Sequence, residues 1–200
     1  MKPLIGLMLG DVTGIGPELV VKLLSTPQAR ERADVVIIGD ERVLKLGMRD
    51  AGLTLPYVKI SKLSEADHAG EAVPLLDLHN VDPSLFERGQ VSAESGRLTG
   101  ETLKVMTELA LTGELDGICF APLNKAGLHR GGWNYHDEHQ MFAAWTDHVG
   151  YFGEVNIIPQ FSTFRVTSHV ALRKAVDMVQ PDRIEGALQL AHDTLRALGN

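Results

Sequence analysis

The residues with the densest chemistry lie at 134–142, NYHDEHQMF, where His136 and His139 flank Asp137 and Glu138. Imidazoles beside carboxylates can relay protons, hold a metal or grip a polar substrate. Met141, Phe142 and Trp145 follow at the spacing of one apolar helix face. That pattern predicts a helix with Asp137 as N-cap and Gln140 as its capping-box partner. His139 then sits in the first turn, where backbone N–H groups and the helix dipole favour an anionic ligand. An exposed, merely polar helix start accounts for the same residues. Two further groups stand out: His169 at the end of FRVTSH, and Lys125 in the loop after the apolar run 117–121.

The composition narrows what these groups can serve. The chain has 200 residues, 44% of them hydrophobic and 22% charged, as in an ordinary globular protein of one or two domains. A net charge of −7 offers nothing to nucleic acid or an anionic membrane. The single cysteine, Cys119, rules out an internal disulfide framework and suits a reducing, cytoplasmic compartment. Its apolar surroundings read as those of a buried small hydrophobe. The run Leu4 to Leu9 is too short to span a bilayer and lacks a small-residue cleavage pattern, so it reads as a strand.

Positioning elements follow in chain order. Strand 4–9, the turn GDVTGIGPEL and a helix through Leu24 open an α/β unit, with Pro17 in the first helical turn. The turn has two glycines of a dinucleotide fingerprint, but Leu19 stands where the third belongs, and no Walker lysine follows. A second strand is expected at 33–39, a helix at 41–48, and strands at 55–58 and 73–78. A helix at 98–111 and a buried strand at 117–121 come next. The loop carrying Lys125 falls at the C-terminal edge of that strand, where open α/β sheets bind ligands. Two more strands are expected at 155–158 and 163–167, around Pro159-Gln160. The last element is an amphipathic helix, 182–198, with Asp182 and Glu185 as capping box and a seam through Ile184, Leu188, Ala191, Leu195 and Leu198.

Five blocks together resemble a known family: GDVTGIGPEL, QVSAESGRLTGETL at 90–103, APLNKAGL at 121–128, DEHQMFA at 137–143 and RVTSHVALR at 165–173. Their order is similar to that of the 4-hydroxythreonine-4-phosphate dehydrogenases, which act in pyridoxine biosynthesis. Relatives in that family act on threonate or erythronate phosphates and on aromatic dihydrodiols. The resemblance implies a three-layer α/β/α fold like isocitrate and isopropylmalate dehydrogenases, in a homodimer. It implies a first α/β domain at 1–130 and the beginning of a second at 131–200, with the C-terminal part missing.

The resemblance also implies a reaction. NAD or NADP takes a hydride from a secondary alcohol of a phosphorylated hydroxy acid, and the β-keto acid formed is prone to lose CO₂. A divalent metal, usually zinc (magnesium and cobalt being the other candidates), polarises the alcohol oxygen. By position, His169 matches a metal-binding histidine, while His139 and Gln140 match a substrate-binding His-Thr pair. Lys125 matches the lysine of the loop after the central strand and is the catalytic candidate, its role left open. Asp11 is expected near the ligand, within a turn that shapes the cleft and does not hold a pyrophosphate. Residues that bind the cofactor are not assigned. Where the family has Gly-His-Thr-Glu, this chain has Glu138-His139-Gln140-Met141, which admits a sugar-acid phosphate or another hydroxy acid as substrate. Two further metal histidines and the main cofactor segments are expected beyond residue 200. Two other readings compete: a self-contained zinc hydrolase built on His136, His139 and His169, and a non-catalytic binding module.

Overall fold

Five short apolar runs build one parallel sheet, and the reason is visible in their β-branched, doubly apolar character. A computed structural model describes residues 2–199, which form two units, one ending at Tyr135 and the other beginning at His136. In the first unit the elements run β1 (Leu4–Met8), α1 (Gly16–Leu24), β2 (Asp34–Gly39), α2 (Glu41–Ala51), β3 (Tyr57–Ile60) and β4 (Val73–Asp77). They continue as α3 (Ala93–Leu111), β5 (Gly117–Phe120) and α4 (Lys125–Arg130). The sheet order is β3-β4-β2-β1-β5, with every pairing parallel.

Alternation within the strands feeds two layers of helix. Leu7, Val35, Ile37, Val73 and Leu75 join Val20, Val21 and Leu24 of α1 and Val43 and Leu44 of α2 in one buried cluster. On the other face Gly6 lies near Ile38 and near Met106 of α3, which packs with α4. Helix ends are fixed by side chains, since the first N–H groups of a helix otherwise lack acceptors. Asp40 caps α2 through Arg42 N, Ser92 caps α3 through Ser95 N, and Asn124 caps α4 through Gly127 N. The α3 cap starts that helix five residues before the expected Leu98, because its first turns are polar and carry no apolar signature.

One expectation fails here. Cys119 is exposed, and β5 is half covered at best. β5 pairs only with β1 among the described residues, so it is an edge strand, and an apolar run alone does not distinguish an edge from a centre.

The second unit is smaller and less apolar inside. It holds α5 (Glu138–Trp145), an antiparallel hairpin of β6 (Val155–Ile158) and β7 (Phe161–Phe164), α6 (Leu172–Met178) and α7 (Pro181–Ala197). Asp137 caps α5 by accepting from Gln140 N at 2.9 Å, as the sequence predicts. Met141 is buried, and the Phe142 and Trp145 rings meet edge-on at 6.0 Å. The strand expected over 163–167 ends instead at Phe164, and residues 165–171 form no strand or helix. The expected Asp182–Glu185 capping box is also absent: Gln180 is the N-cap and makes no side-chain cap bond. Pro181, with φ already set for a helix and no N–H to satisfy, starts α7 one residue earlier. Of the α7 seam, Ile184, Leu188 and Leu198 remain exposed. Among the described residues no helix is long and apolar enough to cross a membrane.

Candidate functional site

Within the second unit a cavity of ≈ 290 Å³ is lined by His136, Asp137, His139 and Gln140 from the start of α5, and by Glu154, Arg165 and Ser168 from the hairpin and the loop after it. The Asp137 cap fixes where α5 begins, and therefore where His139 and Gln140 project. His139 Nδ1 stands 3.8 Å from Asp137 Oδ1, and its Nε2 stands 3.5 Å from Glu154 Oε1. His169 Nε2 meets that same Glu154 oxygen at 3.0 Å. One carboxylate oxygen thus lies against both imidazoles that the sequence singled out.

Glu154 is the residue sequence reasoning missed. Its second oxygen, Oε2, accepts from Ser168 Oγ at 3.1 Å and from Arg165, which also bonds Asn156. The His169 hydrogen bond holds the Glu154 carboxyl below its ordinary range; burial opposes this, and Ser168 and His139 add to it. For Asp137 burial favours the neutral form, yet the Gln140 N–H, His136 and His139 outweigh it and lower its pKa.

The loop that presents His169 is pinned from behind. Tyr151 Oη donates to Arg165 O at 2.5 Å and to Val166 O at 3.2 Å. Arg183 of α7 donates to Val166 O at 3.1 Å and lies 5.6 Å from the centre of the Tyr151 ring. His169 itself has φ +56°, a left-handed conformation that costs a non-glycine residue roughly 1–3 kcal/mol and persists only where its surroundings impose it. His136 does not join this group; it pairs with Asp137 at 3.3 Å. Among the described residues His136, His139 and His169 do not bring three donor atoms within 4.8 Å of one another, so the three-histidine hydrolase site is not assembled.

In the first unit, Asp11 lies in the loop after β1, joined to the loop after β5 by a bond from Asp11 N to Pro122 O at 3.2 Å, and that second loop leads into α4 at Lys125. Asp11 is buried, and its Oδ1 accepts from Thr13 N, Thr13 Oγ1 and Ser95 Oγ at 2.9, 3.0 and 2.5 Å. It shapes the turn and ties it to α3. Lys125 is exposed in the first turn of α4. At the glycine turn a Cβ on Gly16 would stand 2.4 Å from Leu9 O, and one on Gly10 (φ +79°) 2.8 Å from Pro122 O, so chain packing by itself requires glycine at both positions.

A third group, Asp40, Asp77 and His79, brings its donor atoms within 4.8 Å of one another. It does not suit a metal. Both Asp40 oxygens are taken by Arg42, with Val81 N completing the set, and Asp77 Oδ1 accepts from Glu41 N and His79 N. A cation would have to displace a buried guanidinium pair, which is costly. The Glu154–His169 pair fits better, because an imidazole nitrogen and a carboxylate oxygen 3.0 Å apart are ordinary donors for zinc or a similar divalent ion.

Known proteins carry the same architecture. A crystal structure of a 4-hydroxythreonine-4-phosphate dehydrogenase from Burkholderia phymatum matches 98% of the chain with a TM-score of 0.85 at 30% identity. One from Klebsiella pneumoniae matches 100% of it with a TM-score of 0.90 at 28% identity. Among curated sequences, a Pseudomonas aeruginosa protein provisionally named 4-hydroxythreonine-4-phosphate dehydrogenase 2 is 40% identical over 198 residues, covering 98% of this chain. An Oceanobacillus iheyensis protein provisionally named D-threonate 4-phosphate dehydrogenase is 34% identical over 199 residues, or 99% of this chain. The chain spans 58% and 59% of the length of these two relatives. The sequence profile of the pyridoxal phosphate biosynthetic protein PdxA matches residues 31–200. The chain belongs to the PdxA family.

Proposed function

We propose that the protein bearing this chain oxidises a secondary alcohol of a phosphorylated hydroxy acid, passing the hydride to NAD or NADP. The observation that carries this reading is the meeting of His139 and His169 at one Glu154 oxygen in a chain of the PdxA family. The relatives' names supply the substrate class, either a 4-hydroxythreonine or a threonate carrying a 4-phosphate. A divalent ion at His169, zinc by its donors, would polarise the alcohol oxygen and lower its pKa.

The chain's own residues do the rest. His139 and Gln140 hold the hydroxy acid, with the Gln140 amide offering both a donor and an acceptor. His139 stands between Asp137 and Glu154, at 3.8 and 3.5 Å, and presents its ring to the cavity. In the first unit Asp11 shapes the turn after β1, and Lys125, the first residue of α4, is the candidate for moving a proton. Glu138 adds negative charge next to His139, which disfavours a second anionic group there and favours a neutral hydroxyl. Assembly as a homodimer belongs to the same reading and is checked by light scattering.

The test is an absorbance assay of the protein in its native length with NAD and NADP, with zinc, magnesium or cobalt, against 4-hydroxythreonine, D-threonate and erythronate 4-phosphates. Metal-dependent cofactor reduction with one phosphorylated acid, and far less with its dephosphorylated form, is expected. Absence of reduction across the panel, or equal rates without phosphate, overturns the proposal.

A further inference from the structure

The Glu154 carboxylate is oriented more closely than an ion pair with Arg165 requires. Oε2 is committed to Ser168 and Arg165, both on the strand-to-loop segment that leads to His169. Oε1 meets two imidazole nitrogens that come from different elements, His169 Nε2 at 3.0 Å and His139 Nε2 at 3.5 Å. Only about a quarter of the Glu154 side chain is exposed, at 23%, so water cannot dominate its contacts.

A carboxylate oxygen only accepts. A neutral imidazole that turns its Nε2 lone pair toward it is repelled, and one that turns Nε2–H toward it is held. A cation seated between oxygen and nitrogen satisfies both without any ring proton. The spacing suits this: bonds of about 2.1 Å from a divalent ion to N and O put adjacent ligand atoms about 3 Å apart when they subtend roughly a right angle. The observed Glu154–His169 separation of 3.0 Å needs little rearrangement to admit an ion.

We propose that Glu154, through Oε1, is a direct ligand beside His169 of the divalent ion, with Arg165 and Ser168 holding its other oxygen in place. The inference rests on the reading of His169 as a metal ligand. It explains why the left-handed backbone at His169 is retained: the loop from Arg165 to His169 must bring Ser168 and His169 to the two oxygens of one carboxylate. It also brings the substrate contact of His139 within one carboxylate of the ion, so that the alcohol bound by His139 lies beside the metal.

The test uses Co²⁺ in place of zinc, because its visible absorption band reports the atoms bound to it. The wild-type protein in its native length should develop a band on titration with Co²⁺, and Glu154→Gln should shift that band and weaken binding by roughly tenfold or more. Glu154→Asp keeps the charge for Arg165 and Ser168 but withdraws the oxygen by one methylene, so it should also shift the band while circular dichroism stays native. Arg165→Met, which loosens the carboxylate but leaves Oε1 in place, should weaken Co²⁺ binding less than Glu154→Gln does, and an equal or larger loss would count against Glu154 as the ligand. An unchanged band and affinity in both Glu154 variants, with the band lost in His169→Ala, overturns this inference and leaves His169 as a ligand. A band that survives His169→Ala, or no band in the wild type at millimolar Co²⁺, overturns the underlying metal reading and this inference with it.

Discussion

The two units are stabilised by different means. In the first, a sheet and two helices bury Leu7, Ile37, Leu44, Leu75 and Val21 together, and the ionic groups near the sheet edge are paired with one another. In the second, the buried hydrophobic residues are Met141 and Ala187, and the contacts that define its cavity wall are polar: Asp137 with His136 and His139, Glu154 with His139, Arg165, Ser168 and His169. Apolar burial is non-directional and tolerates only shape-preserving change, whereas a polar network fixes directions at little net gain in stability. The first unit is therefore the scaffold, and the second is where side-chain direction matters.

The sharpest way to break that contrast is to cut the same methylenes from both units. Leu44 is 0% exposed in the first unit, and Leu44→Ala should cost about 2–5 kcal/mol through lost burial and the cavity left behind. Leu188 on α7 is 66% exposed, and Leu188→Ala should stay within about 0.5 kcal/mol. Urea unfolding followed by fluorescence separates the units, since Trp133 reports the first and Trp145 the second. Comparable losses for the two variants would show that the α7 seam is buried in solution, and the contrast would fail.

A smaller effect is expected at His139, read as loss of function and not of stability. His139→Ala removes an imidazole from the cavity wall but leaves the Asp137 cap and the His169–Glu154 contact in place. Loss of a substrate hydrogen bond to a charged group is worth about 1.5–3 kcal/mol, so kcat/KM should fall roughly tenfold to a hundredfold with metal content unchanged. Stoichiometric loss of metal in this variant would move His139 from substrate contact to ligand.

Legibility followed the same division. Local signals were readable: the Asp137 cap, Pro17 in the first turn of α1, the β1–turn–α1 unit and the hairpin around Pro159-Gln160 depend on residues within a few positions of one another. Non-local facts were not. Cys119 sits on an edge because β5 has one partner among the described residues, and no feature of GICF carries that information. Glu154 stands fifteen residues before His169, beside an ordinary strand, and nothing in FGEVN marks it as facing two histidines. The early end of β7 has the same origin: Tyr151 and Arg183 hold the backbone of Arg165 and Val166 in a loop whose sequence still alternates like a strand.

The smallest effect tests whether the charge pairs of the first unit are fully formed, as the scaffold reading requires. Tyr57 Oη donates to Glu41 Oε1 at 2.7 Å, with Lys45 and Lys59 also beside that carboxylate. The Tyr57 hydroxyl and then Lys45 bring the Glu41 carboxyl down from an ordinary 4.5 to about 2, against a smaller opposing effect of burial. Burial first, and then the bond to Glu41, push Tyr57 up from 10.0 to about 12. The signs are opposite in pH. A depressed carboxyl contributes stability above pH 4.5 that is lost as pH falls toward 2, while a raised phenol contributes stability below pH 10 that is lost as pH rises toward 12. The melting temperature of the wild type should therefore exceed that of Tyr57→Phe by a margin that is widest between about pH 5 and 10 and narrows on both sides. Calorimetry of the two proteins across pH 2–12 measures that margin directly. A margin that stays constant with pH would mean that the Tyr57–Glu41 bond does not hold in solution, and that this edge of the scaffold is less fixed than its geometry implies.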